Sequence, residues 1–183
     1  MAVDSHSSVS EKHREMFPEY DQVFINALSS AVSSCGLQFL LRKEQIQALN
    51  YYLKGRDVVV NLPTGYGKSL CYALCPLVCD NLRGVTSKEQ RSILVLISPL
   101  KALMDDQIFS LSQLGLSCLN LTPDISEETI GRLRGGDFQV AILSPESFEC
   151  VVVRTALQSV KERIHCVAID EAHCIEQWSV LFN

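Results

Sequence analysis

Residues 57–72 read DVVVNLPTGYGKSLCY and contain the change of pattern that decides the fold. The apolar run Asp57–Leu62 has the composition of a strand buried on both faces, and the sequence from Ser69 onward has that of a helix. The loop between them, residues 63–69, holds two glycines, a lysine and a serine. A strand that leads through a Gly-rich loop into a helix is the context typical of a phosphate-binding loop.

The residue types of this loop suit contact with a nucleoside triphosphate and Mg²⁺. Gly65 and Gly67 leave room for backbone amides to approach phosphate oxygens. Lys68 can neutralise the β- and γ-phosphates, and the Ser69 hydroxyl can bind Mg²⁺. The strict G-x-x-x-x-G-K-[ST] pattern has glycine where this chain has Leu62, so a Gly-rich turn with an exposed lysine is the alternative. The predicted nucleotide-binding residues of the loop are Pro63, Thr64, Gly65, Tyr66, Gly67, Lys68 and Ser69.

Further apolar segments of strand length follow the loop and alternate with amphipathic stretches of helical length. These segments are Ser92–Ser98, Leu116–Leu121, Phe138–Leu143 and Ile164–Ile169. Continuous apolar strands separated by helices are typical of a parallel sheet covered by helices. The predicted fold class is therefore α/β, with a mainly parallel β-sheet flanked by helices on both faces. In such a sheet, ligands bind outside the carboxyl ends of the strands.

The segment before the loop predicts a tail and two helices. Residues 1–16 are polar and Ser-rich, which predicts a disordered tail. Apolar residues at helical spacing predict helices over Asp21–Ser34 and Arg42–Lys54, and Gly55 ends the second. The length of 183 residues argues for a single globular domain. The predicted organisation is a tail at residues 1–16, helices at 17–56 and the nucleotide-binding domain at 57–183.

Composition restricts the possible environments and partners. The net charge of −5 provides no basic surface, so any contact with nucleic acid has to be local. The eight cysteines form no Cys-x-x-Cys pair, and reduced intracellular thiols are expected. Cys71, Cys75 and Cys79 lie four residues apart, which favours core packing over a metal site. The chain begins without a signal-peptide pattern and its apolar runs are short, so a soluble protein with no membrane partner is expected.

A second motif follows the apolar segment Ile164–Ile169. Residues 170–173 read Asp-Glu-Ala-His, and the two acids would emerge beside the loop if the two strands were near neighbours. Asp170 would hold Mg²⁺ through water, and Glu171 would orient and deprotonate the water that attacks the γ-phosphate. The alternatives are a solvated acidic turn before a helix and a structural role for His173. The predicted catalytic residues are Lys68, Asp170 and Glu171, and the predicted metal ligands are Ser69 and Asp170.

Three segments together resemble the RecQ-type DNA helicases of superfamily 2. They are PTGYGKSLCY at residues 63–72, SPLKALMDDQ at 98–107 and DEAHCIEQW at 170–178, and the resemblance covers about residues 36–182. It implies the first RecA-like motor domain of an ATP-dependent helicase that moves 3′ to 5′ along single-stranded DNA. The family acts on single-stranded or partly duplex DNA in repair and recombination, which implies a nuclear location.

The resemblance also implies roles for individual residues. Arg42 and Gln45 lie where the family contacts adenine, which favours ATP over GTP. Ser98–Gln107 and Leu143–Glu146 resemble segments that approach the DNA backbone, although Ser98-Pro99 and Ser144-Pro145 also fit helix capping. A core position is the alternative for the lone tryptophan. The residues predicted to contact DNA are Ser98, Lys101, Asn120, Thr122, Trp178 and Phe182, and those predicted to couple DNA to hydrolysis are His173 and Gln177.

The sequence departs from the family after Trp178. The family continues Gly-His-Asp-Phe-Arg, whereas this chain has Ser179-Val180-Leu181-Phe182 and ends at Asn183. A C-terminally truncated motor domain is therefore expected, without the second RecA-like domain whose arginine stabilises the transition state. Such a chain would bind Mg-ATP weakly and show almost no DNA-stimulated hydrolysis. The alternative is an inactive module that binds nucleotide or a partner, and an RNA helicase is disfavoured by Cys174–Trp178.

Overall fold

The computed structural model describes residues 9–174, and these divide into two compact units between Val85 and Thr86. The chain length argued for one unit, so this division is a difference from the expectation. The helices of the N-terminal unit are α1 (Val9–Met16), α2 (Gln22–Ser34), α3 (Lys43–Leu53), α4 (Lys68–Ala73) and α5 (Cys75–Arg83). We call the residues from Thr86 onward the sheet unit, and each unit is described by itself.

Helices α2 and α3 form where the sequence predicts them. The Asp21 carboxylate caps α2 by accepting hydrogen bonds from the backbone N–H of Val23, at 2.7 Å, and of Phe24, at 3.4 Å. Helix α3 ends at Leu53, and Gly55 follows with a φ of 78°. Helix α2 packs against α5, where the Asn81 side-chain amide donates to the Ala27 carbonyl at 2.9 Å.

The structure corrects the predicted tail at residues 9–16, which form helix α1, whereas residues 1–8 lie outside the described part. Helix α1 packs against α2. Its His13 side chain is fully buried and accepts a hydrogen bond from the Leu41 backbone N–H. Aromatic contacts continue from His13 to Phe17 and Tyr20. The polar composition did not predict this helix, because a few buried contacts stabilise it and not an apolar stripe along one face.

The sheet unit contains a four-stranded parallel sheet with strand order β2-β3-β1-β4. Its strands are β1 (Ile93–Ile97), β2 (Cys118–Asn120), β3 (Val140–Leu143) and β4 (Ile164–Ile169). Its helices are α6 (Lys101–Gln113), α7 (Glu127–Arg134), α8 (Pro145–Glu149) and α9 (Val151–Gln158), with short 3₁₀ helices at Lys88–Gln90, Lys161–Arg163 and Ala172–Cys174. The α/β class with a parallel sheet is confirmed.

The centre of this sheet is its apolar core. Strand β3 is buried along its whole length, and β1 is buried from Ile93 to Leu96. The core continues into α7 through Leu133 and into α9 through Val153 and Leu157. Among residues 9–174, β4 pairs with β1 at one side of the sheet, and Val167 is 51% exposed. The two central strands place their carboxyl ends side by side, where polar residues follow.

One predicted strand is corrected by the structure. In the described part of the chain, residues Asp57–Leu62 form neither a helix nor a strand of the sheet, and Val59 is 92% exposed. An apolar β-branched run indicates a tendency to pair and become buried, but pairing needs a neighbouring strand that local sequence does not specify. The loop of residues 63–69 therefore follows an unpaired segment in this structure and not a strand of the sheet.

Among residues 9–174, none of the helices has both the length and the apolar character required to cross a bilayer.

Candidate functional site

A hydrogen bond joins the last part of the predicted phosphate loop to the residue that directly precedes the loop. Gly65 and Gly67 have φ angles of 81° and 75°, which place both in the left-handed region that favours glycine. The Lys68 ammonium donates to the Leu62 carbonyl at 2.9 Å. Leu62 occupies the position at which the strict pattern has glycine, and here its backbone oxygen serves as the acceptor for the loop lysine.

Gln45 of α3, which precedes the loop in sequence, is hydrogen-bonded to the loop backbone. Its side chain is 3% exposed, and its Nε2 donates to the carbonyls of Tyr66, at 3.1 Å, and Gly67, at 3.0 Å. Its Oε1 accepts from the Arg42 backbone N–H at 2.8 Å. A Cβ added to Gly67 would lie 2.6 Å from Gln45 Nε2. The φ angle therefore favours glycine at position 67, and a larger residue there would also displace the Gln45 amide.

Arg42 makes a second connection to the loop. Its guanidinium carbon lies 4.3 Å from the centre of the Tyr66 ring, in a cation–π contact. The structure thus brings the predicted adenine pair, Arg42 and Gln45, against the predicted phosphate loop. The polar atoms of the Gln45 amide already contact backbone groups, so reading an adenine edge would require some of these hydrogen bonds to exchange. The adenine contact itself stays a prediction.

The loop residues fit a bound phosphate. Thr64, Gly65 and Ser69 are exposed, so the loop backbone and the serine hydroxyl are accessible. The Lys68 ammonium now donates to a neutral carbonyl, and a charged phosphate oxygen is a stronger acceptor for the same donor. The Ser69 hydroxyl is one of the oxygen ligands that Mg²⁺ accepts.

Asp170 is fixed at the carboxyl edge of the sheet. It follows β4, and its backbone N–H donates to the Ile97 carbonyl of β1 at 2.9 Å. Its Oδ2 accepts from Gln107 Nε2 at 2.5 Å, and its Oδ1 accepts from the Glu171 backbone N–H at 3.0 Å. Among the described residues, each carboxylate oxygen therefore has one protein donor, and each retains acceptor capacity for a hydrated cation.

Glu171 has a backbone conformation that is unusual for its residue type. Its φ is 52°, which is costly for a residue with a Cβ. Its side chain is 41% exposed, and its Oε2 lies 3.2 Å from His173 Nδ1. Asp170 is thus held by the protein, whereas the Glu171 carboxylate faces solvent beside a histidine. This difference agrees with separate roles for the two acids, which stay predictions.

Gln107 is a candidate functional residue that was not predicted from the sequence. It lies on α6 between the buried residues Met104 and Leu111, at helical spacing on the inner face. Within the described residues, its Oε1 is buried and has no hydrogen-bond partner. A glutamine at an apolar position of a helix was the available signal, since a buried amide needs partners. Gln107 connects α6, which begins at Lys101, to the carboxylate of Asp170.

The residues predicted to contact DNA differ in their accessibility. Lys101, Asn120 and Thr122 are exposed. Ser98 is fully buried, and within the described part of the chain its Oγ has no hydrogen-bond partner. A direct contact between Ser98 Oγ and DNA is therefore not available in this arrangement. Trp178 and Phe182, together with Gln177, lie outside the described residues.

The two serine–proline pairs differ in helix capping. The Ser144 Oγ accepts from the Ser147 backbone N–H at 3.2 Å and caps α8, so the capping interpretation is confirmed there. Helix α6 instead has Leu100 at its N-cap without a side-chain cap, so the capping interpretation is wrong for Ser98. Hydrogen bonding by Ser144 and by the Glu146 backbone, with a smaller contribution from the charge of Lys101, holds the pKa of the Glu146 carboxyl below its usual value.

The described cysteines are free thiols. Cys75 and Cys79 are buried in α5, and Cys71 lies on α4, so the helix interruption at Leu74 separates it from the other two. Between residues 9 and 174, no group of three or more His, Cys, Asp or Glu side chains is arranged to hold a metal ion.

The described part of the chain combines three features: a parallel sheet with helices, a Gly-Lys-Ser loop at the start of a helix, and an Asp-Glu pair after a strand. Together these features are typical of the class of P-loop nucleotide-binding domains. The model of the DEAD/DEAH box helicases matches residues 42–182. The chain belongs to this family.

The relatives of the chain are RecQ-type DNA helicases. It is 35% identical to the ATP-dependent DNA helicase RecQ of Haemophilus influenzae over 83% of this chain and 23% of that protein. It is 37% identical to the ATP-dependent DNA helicase hus2/rqh1 of Schizosaccharomyces pombe over 75% of this chain and 10% of that protein. It is 33% identical to the ATP-dependent DNA helicase Q-like 5 of Arabidopsis thaliana over 78% of this chain and 15% of that protein. The resemblance to RecQ-type helicases is confirmed, and the chain spans between 10% and 28% of the length of these and similar relatives.

Proposed function

We propose that this chain forms the first motor domain of an ATP-dependent DNA helicase that moves 3′ to 5′ along single-stranded DNA. The observation that carries the proposal is the loop of residues 63–69, in which Gln45 holds the carbonyls of Tyr66 and Gly67 and both glycines have positive φ. Membership of the DEAD/DEAH family and identity to several DNA helicases support the same function.

In the nucleotide step, the loop binds the triphosphate and α3 reads the base. We assign Lys68 to the β- and γ-phosphates, where its ammonium exchanges the Leu62 carbonyl for a charged oxygen. We assign Arg42 to the face of the adenine ring, since its guanidinium already stacks on an aromatic ring. Gln45 would supply the amide that distinguishes adenine from guanine.

In the hydrolytic step, the acids at the carboxyl edge of the sheet divide two tasks. Ser69 and, through water, Asp170 are assigned to hold Mg²⁺, which would supply positive charge to the phosphates. Gln107 holds the Asp170 carboxylate in one orientation. Glu171 would orient the attacking water and accept its proton, and His173 beside it would adjust that carboxylate.

In the DNA step, contacts are local because the chain is acidic overall. Lys101, Asn120 and Thr122 are exposed and are assigned to the DNA backbone. Ser98 is buried, so we assign it a supporting position at the carboxyl end of β1. The roles of Trp178 and Phe182 as aromatic contacts to bases, and of Gln177 in coupling, rest on the family resemblance, as does a nuclear setting in DNA repair and recombination.

Titration of the 183-residue chain with Mg-ATP, followed by calorimetry, tests the nucleotide step. We expect binding by the original chain, loss of binding in Lys68→Ala and retained binding in Glu171→Gln, because the first residue contacts phosphate and the second acts on water. Equal binding by the original chain and Lys68→Ala would contradict the assignment of the loop.

The direction of movement is testable in a chimera. This chain replaces the matching segment of the Haemophilus influenzae relative, to which it is 35% identical. We expect unwinding of a partial duplex with a 3′ single-stranded tail and none with a 5′ tail. Unwinding from the 5′ tail would refute the proposed direction.

A further inference from the structure

Helix α1 reaches the candidate nucleotide site through one buried side chain. His13 is fully buried, and its Nε2 accepts from the Leu41 backbone N–H at 3.1 Å, across a sequence separation of 28 residues. A backbone N–H can only donate, so Nε2 carries no proton and acts as the acceptor. Leu41 is itself 3% exposed and directly precedes Arg42.

A continuous set of contacts leads from this bond to the phosphate loop. The Arg42 backbone N–H donates to Gln45 Oε1 at 2.8 Å. Gln45 Nε2 then donates to the carbonyls of Tyr66 and Gly67 at 3.1 and 3.0 Å. The Arg42 guanidinium lies over the Tyr66 ring as a second connection. The His13 and Gln45 side chains that make these contacts are both buried, so an unbroken path of contacts joins the Leu41 backbone to the loop.

We propose that His13 is a positioning residue of the nucleotide site, which fixes Arg42 and Gln45 through Leu41 and fixes the phosphate loop through Gln45. The inference rests on the proposed function, because it assigns those residues to adenine and phosphate. His13 precedes the segment that matches the helicase family, residues 42–182. The N-terminal helix is thus a support of the nucleotide site that the family match does not include.

Two substitutions separate the acceptor from the packing of the ring. His13→Phe keeps an aromatic ring beside Phe17 and removes the acceptor. His13→Gln removes the ring and places an amide oxygen near the position of Nε2, so it restores an acceptor for the Leu41 N–H. We expect His13→Phe to weaken Mg-ATP binding about twofold to tenfold, the range that corresponds to one lost hydrogen bond, and His13→Gln to recover most of the affinity.

Arg14→Ala is the matched control for loosening of α1. The Arg14 Nε donates to Asn26 Oδ1 at 2.8 Å on the exposed side of the α1–α2 contact. This substitution removes a contact of the helix and leaves the His13–Leu41 bond in place. We expect Mg-ATP affinity to stay unchanged in Arg14→Ala. A loss equal to that of His13→Phe would show that general docking of α1 matters and would overturn the specific role of His13.

A readout without nucleotide keeps this inference separate from the proposed function. In ¹⁵N NMR spectra of the nucleotide-free chain, His13→Phe is expected to shift the Leu41 and Arg42 amides, the Gln45 side-chain amide and the Tyr66 and Gly67 amides. Shifts that stop at Leu41 would refute the transmission to the loop. If these shifts occur but the original chain binds no Mg-ATP, the connection stands and the proposed function fails.

Discussion

At the scale of single residues, the candidate site depends on hydrogen bonds and backbone angles that particular side chains determine. Gln45 uses its amide to hold two loop carbonyls and one backbone N–H. Asp170 uses both carboxylate oxygens, and Glu171 accepts an unfavourable φ of 52°. Unusual backbone angles and polar side chains with several hydrogen bonds in one protein indicate positions where geometry is held for function at some cost in stability.

Gly67→Ala is expected to destabilise the fold more than Gly65→Ala. Both glycines have positive φ, so an alanine at either position carries a backbone cost of about 1–2 kcal/mol. At Gly67 the added Cβ would also approach Gln45 Nε2 at 2.6 Å, whereas at Gly65 no atom lies within 4 Å of it. Urea unfolding of both variants measures the difference in the free energy of unfolding. Equal losses would mean that the contact with Gln45 adjusts without cost.

The pH dependence of alkylation should identify Cys71 as a poorly ionised thiol. Burial raises the pKa of Cys71 from 9.0 to about 11. Since the thiolate is the nucleophile and a raised pKa lowers its fraction, the rate with iodoacetamide should increase about tenfold per pH unit between about pH 7 and pH 9.5. Mass spectrometry of the Cys71 peptide follows the rate. Flattening of the rate near pH 9 would contradict the raised pKa, and the unfolded chain provides the reference.

At the scale of secondary-structure elements, the sequence correctly predicted those features that residues close together in the chain determine. The ends of α2 and α3 follow from Asp21 as a cap and Gly55 as a stop. The prediction of a strand at residues 57–62 was wrong because strand pairing depends on a neighbour that is distant in sequence. Helix α1 was not predicted because the burial of His13 depends on Leu41, which is 28 residues away. The loop was predicted from its residues, but its clamp by Gln45 was not, since the bond to Gly67 spans 22 residues.

Gln107→Met is expected to loosen the connection between α6 and the carboxylate after β4. Methionine keeps the length of the side chain and removes the donor to Asp170 Oδ2, so we expect a loss of about 1.5–3 kcal/mol in the free energy of unfolding. Gln113→Met, at an exposed position of the same helix, is the matched control and should change stability little. Urea unfolding measures both variants.

A double-mutant cycle assigns this energy to the pair. Asp170→Asn is combined with Gln107→Met, and the coupling energy is expected to exceed about 1 kcal/mol because the two side chains are in direct contact. Additive effects of the two substitutions would show that the hydrogen bond contributes nothing to the position of Asp170.

At the scale of the whole molecule, candidate functional residues of the sheet unit lie at the carboxyl ends of its strands, and a stabilising arginine lies at their amino ends. Asp170 and Ser144 lie at the carboxyl ends of β4 and β3, where the candidate functional residues collect. Arg163 lies before β4, at the opposite edge. Its Nε donates to the Arg91 carbonyl at 2.9 Å, and its Nη1 donates to the carbonyls of Leu133 and Arg134 at 2.9 and 3.0 Å. One guanidinium thus joins the segments that enter β4 and β1 to the end of α7.

Arg163→Lys should therefore destabilise the sheet unit although it keeps the charge. A lysine ammonium is a single donor group on a flexible chain and cannot reach carbonyls of three residues in the fixed planar arrangement of a guanidinium. We expect a loss of about 1–3 kcal/mol in the free energy of unfolding, measured with urea. Arg154→Lys, an exposed position on α9, is the matched substitution and should cost little. Equal stability of the two variants would show that charge near the end of α7, and not the geometry of the three donations, holds this edge together.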